Sequence, residues 1–153
     1  RDNRIVFATA SFGNFSGSGL FQVSAAGGAV SPLTKLAPGE SGHSFPTLLP
    51  DGDHFLYTGA QGAPPETGGI YLGSLNAKPD QQATRKLLPD ASKTAYSPFI
   101  GAGAGSADGY VLFVRGSALM AQPWDSQRLE LTGEAAPIAE RVPSTGLSTS
   151  ATG

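Results

Sequence analysis

His43 and His54 are the only imidazoles in the chain, and there is no cysteine. Imidazole supplies proton transfer, nucleophile activation and metal ligation near neutral pH, but only with suitable companions. His54 follows Asp51 and Asp53, a spacing that resembles an Asp-x-Asp calcium loop. The full calcium loop with its closing Glu is missing, so Asp51 reads as a turn former. His43 falls in a loop and His54 just inside a strand. The two are free to approach in space, yet no His-Glu-x-x-His run or cysteine supplies further zinc ligands. Both histidines therefore read as ordinary surface or sheet-edge residues. No Gly-x-Ser-x-Gly elbow anchors a serine nucleophile. The run Gly101-Ala102-Gly103-Ala104-Gly105-Ser106 looks like a phosphate loop, but no Lys-Ser/Thr follows it. It also fails Gly-x-Gly-x-x-Gly, because Ser106 or Asp108 takes the last glycine's place. It reads as a flexible hairpin insertion. The sequence thus assigns no catalytic, cofactor-binding or metal residue, and leaves the binding residues unknown. Asn14-Phe15-Ser16 matches a glycosylation acceptor, and no weight is placed on so short a match.

Composition narrows the architecture that would hold any such site. Of 153 residues, 21 are Gly and 12 are Pro, and only 14% are charged. Breakers at about a fifth of the chain fit many turns between short strands, not helices. The net charge is −2, and the ten Lys and Arg are scattered apart from Arg85-Lys86, a solvated surface pair. That balance offers no footprint for nucleic acid. No apolar run is long enough to span a membrane as a helix. The chain opens Arg1-Asp2-Asn3-Arg4 without a signal peptide, and it reads as excised from something longer. Lack of cysteine leans mildly towards an oxidising compartment.

The chain repeats itself. Asp2-Asn3-Arg4-Ile5-Val6-Phe7-Ala8, Asp51-Gly52-Asp53-His54-Phe55-Leu56-Tyr57-Thr58 and Asp108-Gly109-Tyr110-Val111-Leu112-Phe113-Val114 each place a turn before an apolar run. A second motif follows each, in Gly19 to Ser24, Gly69 to Ser74 and Ser117 to Gln122, with copies 50 and 48 residues apart. The third copy is followed by a turn at Pro123-Trp124-Asp125-Ser126. A third element occupies Ala29 to Leu33, Thr84 to Leu88 and Ala136 to Ala139. A fourth, Ser44 to Leu48 and Ala95 to Ile100, leads into the next unit. Four short strands in 40–50 residues mark a propeller blade. Runs such as Val111 to Val114 read as strands covered on both faces, and Pro-bearing strands as edges. The expected fold is all-β, an incomplete β-propeller of about three four-stranded antiparallel blades. Blade A covers about 1–40, blade B about 43–89 and blade C about 94–142, with 143–153 a tail or the start of a further blade. Three blades do not close a usual ring, so two flanks should be exposed. Phe7, Phe21, Tyr57, Tyr71, Tyr96, Phe99, Tyr110 and Phe113 are expected between blades. Trp124 is either a packing wedge over the blade edge or an exposed recognition residue.

The stretch Phe45-Pro46-Thr47-Leu48-Leu49-Pro50-Asp51-Gly52-Asp53-His54-Phe55-Leu56-Tyr57 resembles the TolB-type, WD40-like propeller repeat, with its Pro-Asp-Gly turn before an apolar strand. The likeness continues through Gly69 to Leu75, Gly109 to Gly116, Leu119 to Asp125 and Arg128 to Glu134. This ordered set is similar to the C-terminal propellers of bacterial transmembrane serine/threonine kinases. The resemblance implies a sensor or interaction module on the periplasmic or extracellular side of a bacterial membrane. It implies a protein or small ligand as partner, together with the remaining blades, and no cofactor, nucleic acid or membrane insertion. The kinase motifs are not in this chain, so the chain is not itself expected to be an enzyme. Two alternatives stand beside this: the gating propeller of a prolyl-peptidase-type hydrolase, and a periplasmic structural scaffold.

Overall fold

The computed structural model describes residues 3–9, 18–59, 68–82, 85–98 and 109–142. Asn14-Phe15-Ser16, Phe99, the run from Gly101 to Ser106 and the tail from Ser144 lie outside the described residues.

Among the described residues the secondary structure is all β, in three antiparallel sheets, none closed on itself. The first holds β1 (Arg4–Phe7), β2 (Phe21–Ser24) and β3 (Ser31–Pro32) in chain order. The second holds β4 (His43–Leu48), β5 (His54–Gly59), β6 (Gly69–Ser74) and β7 (Lys86–Leu88), again in order. The third runs β8 (Thr94–Pro98), β9 (Gly109–Arg115) and β10 (Ala118–Asp125), with both β11 (Glu130–Leu131) and β12 (Ala136–Ala139) pairing to β10. The chain divides into two compact units, residues 1–91 with the first two sheets and 92–153 with the third.

The strand counts are three, four and five, not four in each sheet. The fifth strand arises because one outer line is broken in two. β11 pairs with the Trp124 end of β10 and β12 with its Leu119 end. Between them Gly133 takes a left-handed φ of 59° beside the Pro123 ring. Proline has no N–H for a ladder. Pro123 therefore sits in a central strand at the place where its neighbour is interrupted, while its carbonyl still accepts from Thr132 N–H at 2.8 Å. Pro32, Pro46, Pro98 and Pro137 all lie on edge strands. Trp124 belongs to β10 and is fully buried, so of the two alternatives it is a packing residue and not an exposed one, and it sits on a strand where a turn was expected. The turn comes three residues later, from Ser126, because β10 runs on through Pro123.

Turn chemistry starts β5 at Asp51 as expected, while Asp2 and Asp108, the other two turn residues of the repeat, lie outside the described residues. Asp51 Oδ1 accepts from the N–H groups of Asp53 and His54, each at 2.9 Å, and Gly52 supplies φ 75°. Asp125 does the same for Gln127 and Arg128 at 3.0 and 2.9 Å.

In the first unit the two sheets pack face to face. Val6, Leu20 and Leu33 of the first sheet and its flanks meet Phe55, Tyr57, Tyr71 and Leu75 of the second. Leu20, Leu33 and Phe55 are fully buried, each worth about 1.5–3 kcal/mol of transfer from water. The Phe55 ring lies over Gly73, its cross-strand partner, where no side chain fits. Polar ties flank this core: Arg4 Nη1 donates to Leu75 O at 2.8 Å, and Gln82 Nε2 to Leu33 O at 3.0 Å. In the second unit Val111, Phe113 and Trp124 are fully buried, and the Tyr96 ring covers Gly109.

Replacing Gly73 by Ala forces a methyl into the Phe55 ring. Urea denaturation of Gly73→Ala should show a stability loss of about 1–3 kcal/mol, the range for an overpacked core.

Candidate functional site

The loop from Leu33 to His43 joins the first two sheets, and its polar side chains form one continuous chain of hydrogen bonds. Leu20 N–H donates to Thr34 Oγ1 at 2.7 Å. Thr34 Oγ1 and His43 Nδ1 lie 2.7 Å apart, and His43 Nε2 lies 3.0 Å from Glu40 Oε2. Ala37 N–H donates to the same Glu40 oxygen at 2.7 Å, closing the turn. A carboxylate accepts only, so His43 carries its proton on Nε2 and Nδ1 accepts the Thr34 hydroxyl proton. Every donor then has an acceptor.

His43 opens β4 and is buried at 5% exposure, with its ring tilted on Tyr57 at 4.7 Å. The loop and surface expectation is corrected here, while the sheet-edge alternative fits, since β4 is an edge strand. The backbone takes the imidazole inward because Thr34 and Glu40 satisfy both its nitrogens. Burial lowers the His43 pKa below 6.5, and the Glu40 carboxylate opposes that only in part. His54 remains partly exposed at the opposite end of β5, with its Nδ1 at 2.7 Å from Asp51 Oδ2. His43 pairs with Gly59, five residues along β5 from His54, or about 17 Å. The two histidines are not brought together. Burial resists ionisation of Asp51, but the Asp53 and His54 N–H groups and the His54 ring outweigh it and lower the pKa. Asp51 is thus a turn and strand-start residue. Asp53 accepts from Asn76 Nδ2 at 3.3 Å.

Beside the His43 chain lies a cavity of about 540 Å³, lined by the loop, by Tyr57 and Tyr71, and by Pro79, Asp80 and Gln82. The tyrosine rings stack at 5.5 Å, and Lys86 Nζ stands 5.6 Å from the Tyr71 ring centre while donating to Gly68 O at 2.9 Å. Burial first, and then the Glu40 charge, push both phenol pKa values up. Glu40 Oε1 and the Tyr57 hydroxyl have no hydrogen-bond partner among the described residues.

The sequence reading missed Thr34 and Glu40. Its available signal was an acid three residues before a histidine that starts a strand. A buried threonine six residues further upstream gives no pattern to read. As a hydrolytic triad the arrangement is blocked, because Thr34 is 4% exposed and its oxygen already accepts Leu20 N–H. Among the described residues no group of three acidic or imidazole side chains is placed to hold a metal ion. Nor is any helix there long and apolar enough to cross a membrane. No family model matches the chain, and neither a curated protein nor a solved structure matches it.

Thr34→Val keeps the shape but strands the Leu20 N–H and His43 Nδ1. Chemical denaturation should register a loss of about 1–3 kcal/mol, the cost of an unpaired buried polar group. His43 also sets a pH dependence. Its folded pKa is lowered, so the unfolded chain binds the proton more readily. Its contribution is complete above pH 6.5 and is lost as pH falls below that towards the folded value. Urea midpoints of the wild type should fall between pH 7.5 and pH 5, and His43→Gln should flatten that part of the slope.

Proposed function

We propose that the three sheets are successive blades of a β-propeller, and that the chain is a non-catalytic binding module for a ligand or protein. The TolB-like resemblance extends the proposal to the extracytoplasmic part of a larger bacterial protein, a membrane kinase or a TolB-like scaffold. The observation that carries it is a repeated aromatic pair. Tyr57 and Tyr71 stack across β5 and β6, and that face of the second sheet packs on the first. Phe7 and Phe21 stack at 6.1 Å in the same place across β1 and β2. Alternation puts Val6 and Leu20 towards the second sheet and Ile5, Phe7, Phe21 and Val23 on the opposite face. Ile5 there is 52% exposed. The first sheet thus carries outward the kind of face with which the second grips it.

A propeller closes with roughly four to eight blades, more than the three sheets here. The outward face then awaits another blade. Light scattering on a sizing column, with circular dichroism on the same peak, tests this. The expected result is a β-rich oligomer that Ile5→Lys dissociates without loss of the β signal. A folded monomer at high concentration, indifferent to Ile5→Lys, would overturn the incomplete ring.

A further inference from the structure

We infer that the cavity beside Glu40 binds an alkylammonium group, held by Glu40 Oε1, Asp80 and the Tyr57 hydroxyl. The inference rests on the reading of the chain as a ligand-binding module and adds the chemical class of ligand.

Glu40 is the anchor. Its side chain is only 10% exposed, and Oε2 is fixed by His43 and Ala37 at 3.0 and 2.7 Å. The carboxylate is therefore held without rotation, and its second oxygen has no protein donor among the described residues. A rigid, half-satisfied carboxylate in a mostly dry wall favours a donor that brings positive charge. The Tyr57 hydroxyl, also unpartnered, adds a neutral acceptor, and Asp80 a second carboxylate on the same cavity. The charged side chains lining it are Lys35, Glu40 and Asp80, which leave a net negative wall. Its field is felt by the protein itself, since the Glu40 charge contributes to raising both tyrosine pKa values.

Geometry separates the ammonium from its rivals. Tyr71 stacks on Tyr57 at 5.5 Å, and His43 and Phe55 pack tilted against the same ring at 4.7 and 5.7 Å, which crowds out stacking of a further ring on Tyr57. The cavity lining brings the polar corner of Glu40, Tyr57 and Asp80 together with apolar walls from Pro38 and Pro79. A primary ammonium has three donors for that corner and an alkyl stem for those walls. The volume of about 540 Å³ holds a side-chain-sized ligand. Lys35 opposes the cation, which makes it a specificity lever: removing its charge should strengthen binding.

The test is a titration of the full chain with n-butylammonium, read by the shifts of Tyr57, Tyr71 and His43 ring signals in NMR spectra. n-Butanol and n-butyrate serve as neutral and anionic counterparts. The expected result is saturable binding of the ammonium alone. Glu40→Gln keeps an oxygen acceptor for His43 and Ala37 but removes the charge, and should weaken binding about tenfold or more. Lys35→Gln should tighten it severalfold. Retained circular dichroism shows that each variant is folded; should Glu40→Gln not fold, Asp80→Asn and Lys35→Gln carry the test. Equal binding of butanol, or no effect of these charge changes, overturns the ammonium assignment while the ligand-binding reading stands. Silence towards all three compounds overturns both for this cavity. Nα-acetyl-lysine methylamide then fixes the source. Affinity like that of butylammonium supports a lysine side chain, and exclusion of it supports a free small amine.

Discussion

One hydroxyl oxygen on Thr34 organises the junction between the first two sheets. It accepts the N–H of Leu20 and donates to His43, so the end of one sheet and the start of the next share an atom. Leu20 and His43 are both buried, where water does not replace a missing partner. The loop between them must therefore return to the same place each time the chain folds. That placement sets Tyr57 against His43, and Tyr57 in turn aligns Phe55 and Tyr71 over Leu20 and Leu33. Apolar burial supplies most of the free energy, but burial has no direction. The hydrogen-bonded chain gives it one.

The same chain explains why the cavity is charged on one side. A carboxylate fixed by an imidazole and a backbone N–H keeps its orientation. One of its oxygens is committed to the fold, and the other has no protein donor among the described residues.

Much of the architecture was legible in the residues. The Asp51 turn, the apolar runs after it and the prolines on edges are local rules, and they hold because turn dipoles, strand propensity and missing N–H groups act within a few residues. The strand count was less legible: the split of β11 from β12 depends on Gly133 meeting Pro123 across ten residues. The turn expected at Trp124 failed because a proline normally signals the end of a strand, although the packing role expected of that ring fits its burial. The Thr34–His43–Glu40 chain was not legible. Thr34 and Glu40 are ordinary loop residues in the sequence, and only the packing of two sheets turns them towards one imidazole.

The edge prolines govern how these sheets are able to add material. Pro32, Pro46, Pro98 and Pro137 leave a gap in the donor row of at least one edge strand in each sheet, and on both sides of the third. Growth by strand-to-strand zipping, the route towards cross-β fibres, meets that gap on every sheet. Growth by stacking face on face, as at exposed Ile5, would not depend on that donor row. Stacking through unlike faces is heterologous, and heterologous contacts either close into a ring or run on as an open helical array. The pitch set by each stacked pair, more than its strength, decides which of the two the molecule forms.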